Sequence, residues 1–148
     1  MINARHRARE IALQILYRYD EDWLKKQVPT PVALAHEIQS HLKHFQVAAD
    51  LWPFAARLAQ GAIDHREEID TAVTATSENW RLERMAPIDR NLIRMAVFEL
   101  LIDRETPFQI VIDEAVELAK EFGAENSPAF VNGLLDALRK KSVPVAES

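Results

Sequence analysis

Four of the seven prolines in this chain stand where an apolar run of helical period begins: Thr30-Pro31, Ala86-Pro87, Thr106-Pro107 and Ser127-Pro128. Proline at the first helical position loses nothing, because its missing N–H would have no intrahelical partner there. A threonine or serine before it can also cap the exposed amides. The four pairs therefore read as helix starts. Strands have no comparable support. Glycine occurs only at 61, 123 and 133, and no segment alternates valine, isoleucine or threonine with polar residues at period two. The expected fold class is all-α: one single-domain bundle of about seven helices over residues 1–142, with 143–148 as a flexible tail.

The periodicity predicts helices near 4–24, 31–46, 51–64, 66–79, 87–103, 107–122 and 128–141. The break at 64–66 is the weakest, since nothing there forces a stop and 51–79 also reads as one long bent helix. In the helix after Pro107, Val111, Ala115, Leu118 and Phe122 form a stripe widened by Ile112, Val116 and Ala119. Asp113, Glu117, Lys120 and Glu121 are left on the outside. The helix from Pro87 is apolar nearly all the way round, as expected of a central helix. Within it, Glu99 falls on the side of Ile88, Leu92 and Met95, opposite Arg90 and Arg94. A structural role follows for Glu99: a partly buried carboxylate accepting backbone N–H groups at the start of a neighbouring helix, such as the one at Pro107.

The chain of 148 residues is long enough to bury a core without disulfides or a structural metal, and it has no cysteine. The missing thiols exclude disulfide frameworks, thiolate zinc sites and thiol nucleophiles, and fit a reducing cytoplasm. No apolar run approaches the roughly 20 residues that cross a bilayer, so no membrane role is expected and the expected location is cytoplasmic. The formal net charge of −5 argues against indiscriminate polyanion binding. Its distribution is uneven, however. Arg5, Arg7 and Arg9 precede the first acid, Arg139, Lys140 and Lys141 end the last helix, and 99–125 holds eight acids against Arg104 and Lys120.

Phosphate-cradling glycine loops, nucleophile elbows and His-Glu-x-x-His are all missing from the sequence, so no enzyme is expected. His36, His41 and His44 spread over about 140° of a helix, which suits solvated or interface histidines better than a metal site. No catalytic residue, metal ligand or cofactor is assigned. The arginine-rich first turn is more informative. Cations at a helix N-terminus oppose the macrodipole, so a phosphate-binding arm anchored by the stripe Ile11, Ile15, Leu16 and Tyr19 is a competitive reading. In the last helix, Val131, Leu134, Leu135 and Leu138 form the buried stripe and Phe130 lies roughly 90° from its centre. An exposed aromatic at that edge would give a base a stacking platform, although peripheral core is the commoner fate. Gly133 lies on the outward side, where close approach of another group to the backbone would explain it. Gly123 suits a left-handed helix end, and Ser127 suits the cap of the next helix.

Four words in the sequence resemble the NusB family of bacterial transcription antitermination factors. They are Arg7-Ala-Arg-Glu-Ile-Ala-Leu-Gln-Ile-Leu-Tyr17, Pro87-Ile-Asp-Arg-Asn-Leu-Ile-Arg-Met-Ala-Val-Phe-Glu-Leu-Leu101, Ile112-Asp-Glu-Ala-Val-Glu-Leu-Ala-Lys-Glu-Phe-Gly123 and Phe130-Val-Asn-Gly-Leu-Leu-Asp136. The resemblance covers the first helix and about 85–141; the middle, about 22–80, shares only helical character. It implies a seven-helix fold that binds boxA-type single-stranded RNA of ribosomal RNA operon leaders together with the small-subunit ribosomal protein NusE, and catalyses nothing. Other Nus factors and RNA polymerase would be reached through that complex, and a free chain could bury its NusE face in a homodimer. By position, the family's arginine-rich RNA-binding motif falls on Arg5, His6, Arg7 and Arg9, and its RNA-contacting phenylalanine on Phe130. Tyr17, Glu83 and Asp89 would belong to the NusE face.

The chain departs from the family pattern at three places. His6 stands where arginine is common, making part of the charge pH-dependent near neutrality. Pro128-Ala129 replaces the frequent His-Lys and removes a cation beside Phe130, while Asn126 replaces a frequent aspartate and removes an anion. Two rival readings remain. A NusB-like domain also precedes an rRNA cytosine methyltransferase, a reading that suits this chain only as a fragment, because it ends at Ser148 without a cofactor-binding domain. A helical protein-interaction module that has lost RNA binding is the other.

Overall fold

Helices begin at, or within one residue of, all four prolines that mark start sites. The computed structural model describes residues 4–76 and 79–142, and every regular element among them is helical. The expected tail, 143–148, lies outside the described residues, as do residues 77 and 78 near the expected end of the fourth helix. Two compact units result, Met1–Arg66 and Glu67–Ser148.

The first unit holds α1 (Ala4–Arg18), α2 (Asp20–Leu24), α3 (Pro31–His44) and α4 (Trp52–Asp64). Helix α4 packs on both α1 and α3. The seam is made of Ile11, Ile15 and Leu16 from α1, Leu34, Ile38 and Leu42 from α3, and Ala55, Leu58 and Ala62 from α4, all buried. Thr30 caps α3 as its sequence suggests, its hydroxyl accepting from the Ala33 amide at 3.3 Å. The single helix expected over 4–24 is interrupted at Tyr19, whose N–H is shared between the Ile15 and Leu16 carbonyls. Asp20, Glu21 and Asp22 then occupy the first turn of α2, where negative charge meets the positive end of the helix dipole. Both α2 and α3 end in left-handed residues that are not glycine, Lys26 and Gln46. Each end carries the paired bonds of a Schellman motif: Lys26 to Trp23 and Gln27 to Asp22, then Gln46 to Lys43 and Val47 to Leu42.

The 51–79 stretch is two helices, not one: α4 stops at His65, which donates to the Gly61 carbonyl, and α5 (Arg66–Thr76) follows. In the second unit, α6 (Pro87–Val97), α7 (Phe108–Phe122) and α8 (Ser127–Ser142) pack against one another in all three pairs. Helix α6 is buried on every side, polar residues included. Arg90 and Arg94, opposite Glu99 on the helix, are buried too. Each makes a local hydrogen bond, Arg90 donating to the Met85 carbonyl at 2.8 Å and Arg94 to the Asn91 side-chain oxygen at 3.0 Å. After Val97 the helix widens into a π turn, Phe98–Asp103, closed by left-handed Arg104 donating to the Glu99 carbonyl. Glu99 is 1 % exposed.

Two expectations for α7 need correction. Pro107 is the residue before the helix and not its first residue. Phe122, assigned to the buried stripe, is 43 % exposed, because the stripe ends with Leu118 and Ala119 and the chain turns away one helical turn later.

Candidate nucleic-acid interface

The first turns of α1 do not present their basic residues equally. Arg5 and Arg7 are exposed and His6 is partly so, but Arg9 is only 2 % exposed. Arg5 and Arg9 both place their guanidinium groups over the Phe54 ring of α4, at 4.3 Å and 5.1 Å from its centre. A third, Arg57, joins them at 5.0 Å from the same ring. The ring's negative face attracts each cation and fixes its plane, so three positive groups are held together. Such a cluster suits a phosphate oxygen, and its exposed members are those that can reach one. Arg9 is in the wrong place for direct contact and instead braces Phe54. Arg7 pairs with Glu10 on the next turn.

The basic end of α8 is spent inside the second unit. Arg139 lies 4.0 Å over the Phe108 ring, Lys140 pairs with Asp136 at 3.0 Å, and Lys141 donates to the Thr76 carbonyl at 2.6 Å.

Phe130 is set by the 123–128 turn. Gly123 donates to the Ala119 carbonyl at 2.9 Å, and the Asn126 carbonyl accepts the first α8 bond, from Phe130 at 3.1 Å. Ser127 is buried, and its hydroxyl accepts from the Ala124 amide at 2.9 Å, so it ties down the turn and does not cap α8. Gly123 is not left-handed: its φ of −93° and ψ of −172° are open to any residue. What demands glycine is space, since a Cβ there would lie 2.6 Å from Ser127 Cβ and 2.8 Å from the Ala119 carbonyl oxygen. With Val131, Leu134, Leu135 and Leu138 wholly buried, Phe130 is left at the edge, partly exposed. It lines a cavity of about 250 Å³ with Trp80, Arg81, Arg84, Asp89 and Asn126. Gly133 faces open space: beyond its chain neighbours and its own helix backbone, nothing lies within 4 Å of where its Cβ would be.

Comparison with known proteins decides the family. The NusB family model matches residues 6–140. The chain belongs to the NusB family. The match runs through 22–80, where none of the four sequence words falls. The NusB transcription antitermination proteins of Trichlorobacter lovleyi and Geobacter sulfurreducens are 41 % and 42 % identical to it. Those alignments cover 90 % and 93 % of this chain and 89 % and 94 % of theirs. Among solved structures, Thermotoga maritima NusB superposes with a TM-score of 0.79 at 30 % identity, covering 99 % of this chain and 98 % of the other. A NusB chain solved with NusE and double-stranded RNA gives a TM-score of 0.77 at 28 % identity, covering 95 % and 99 %.

The residues assigned to a NusE face divide. Tyr17 is exposed in the first unit and Glu83 is exposed in the second, whereas Asp89 is buried in the wall of the Phe130 cavity. Sequence reasoning missed Arg57, Trp80, Arg81 and Arg84. The last three carried a usable signal, a tryptophan among arginines in a short stretch. Arg57 carried none, because only the fold brings it to the α1 arginines.

Proposed function

We propose that this NusB-family chain is an antitermination factor that binds boxA-type single-stranded RNA in ribosomal RNA operon leaders together with NusE, without catalysing a reaction or needing a cofactor. The observation that carries this reading is the guanidinium cluster of Arg5, Arg9 and Arg57 on Phe54, with Arg7 exposed beside it. Its phosphate-binding chemistry agrees with the relative solved with NusE and RNA. Arg5, Arg7 and Arg57 neutralise phosphates with His6 beside them, Arg9 braces the cluster, and Phe130 stacks a base. Tyr17 and Glu83 meet NusE, through which other Nus factors and RNA polymerase are reached. In the free chain the same exposed residues would be available to a second copy.

Two predictions follow from this division of labour. Arg7→Ala combined with Phe130→Ala is expected to weaken RNA binding at least tenfold, since a stacked base alone contributes about 1 to 3 kcal/mol. Unchanged affinity in a filter-binding titration would favour the interaction-module reading. Arg57→Ala is expected to lower the slope of log affinity against log salt by about 0.7, the share of one phosphate on a single strand. An unaltered slope would remove Arg57 from the interface.

A further inference from the structure

We propose that the cavity lined by Trp80 and Phe130 is a base-reading subsite that selects guanine, with Asp89 as the residue that discriminates. This rests on the RNA-binding reading above and adds a specificity to it. Asp89 is 9 % exposed, and its Oδ1 is buried without a hydrogen-bond partner. A buried carboxylate oxygen lacking a donor is costly, so a ligand that brings one is favoured. The cavity, at about 250 Å³, is smaller than the roughly 300 Å³ where pockets for drug-sized ligands begin, and suits a single base.

The chemistry of the walls narrows the choice of base. Guanine alone offers two adjacent donors, N1–H and the N2 amine, on its Watson–Crick edge, which a carboxylate can accept together. Uracil sets its one donor between two carbonyl oxygens that a carboxylate repels, and adenine and cytosine each place a ring acceptor beside their amine. Guanine also carries the acceptors O6 and N7, and the lining includes donors for them: exposed Arg81 and Arg84 and the Asn126 amide. Trp80 and Phe130 offer ring faces on which an unstacked base can rest. A lysine or arginine from a protein partner is the competing occupant for Asp89. The two guanidinium groups lining the same cavity repel it.

The test uses the full chain and three oligouridines that carry guanosine, inosine or uridine at one central position, titrated by fluorescence anisotropy. Guanosine is expected to bind about tenfold more tightly than uridine, with inosine, which lacks the N2 amine, in between. Asp89→Asn, its fold checked by circular dichroism, is expected to collapse the three affinities toward one value. Equal binding of all three strands by the unmodified chain overturns the subsite and leaves the RNA-binding reading standing. No binding of any strand at low salt overturns both. An Asp89→Asn chain that keeps its guanosine preference but loses NusE in a pull-down assigns Asp89 to the protein face and also overturns the proposal.

Discussion

Glu99→Ala is expected to lower the free energy of unfolding by roughly 3 kcal/mol while leaving the RNA affinity of the folded chain unchanged. The carboxylate is 1 % exposed, at the start of the π turn that ends the central helix of the second unit. Arg90, Asn91 and Arg94 of the same helix are buried as well. Removing a buried acceptor leaves its donors unsatisfied, and that loss outweighs the modest net value of a hydrogen bond. Against a total stability of about 5 to 15 kcal/mol, the change should be plain in urea unfolding. Glu99→Gln, which keeps the acceptor oxygen and loses the charge, should recover part of it. Loss of RNA binding at an unchanged thermal midpoint would instead give Glu99 a direct functional role.

Gly123→Ala is expected to cost about 1 to 3 kcal/mol and also to weaken RNA binding. Its backbone angles alone predict the opposite: alanine is tolerated there and would stabilise by about 0.4 to 1 kcal/mol through the unfolded state. The sign is decided by the missing space. An added Cβ would meet Ser127 Cβ and Oγ at 2.6 Å and the Ala119 oxygen at 2.8 Å. Ser127 is buried and tied to Ala124, so the strain passes into the start of α8 and shifts Phe130. Asparagine separates the two explanations. A left-handed helix end accepts Gly123→Asn with little loss, whereas a close approach makes it at least as harmful as alanine. Thermal unfolding of the two variants distinguishes them, and an Asn variant near wild-type stability would contradict the steric origin of the glycine requirement.

Helix starts and buried faces were legible because they depend on local chemistry. Thr30 caps α3 through its own side chain, and the α8 stripe of Val131, Leu134, Leu135 and Leu138 follows directly from helical spacing. What was not legible depends on partners distant in sequence or on the space around a residue. Helical position set Glu99 opposite Arg90 and Arg94 but did not show that both sides of this helix are buried. Glycine at a helix end suggests a left-handed turn, but crowding by Ser127 arises only in the folded turn. The candidate site divides in the same way. The sequence words contain Arg7 and Phe130, and the arginine-rich first turn contains Arg5. That Arg9 turns inward onto Phe54, that Arg57 joins it, and that Asp89 lines a cavity with Phe130 follow only from tertiary packing.

RNA binding shared with NusE is tested most directly by electrophoretic titration of boxA-type RNA against a scrambled strand of equal length, with and without NusE. BoxA is expected to bind more tightly than the scrambled strand, NusE to strengthen this binding, and affinity to fall steeply with salt as arginine–phosphate contacts are screened. Equal affinity for the two strands in the presence of NusE would contradict a role in boxA recognition.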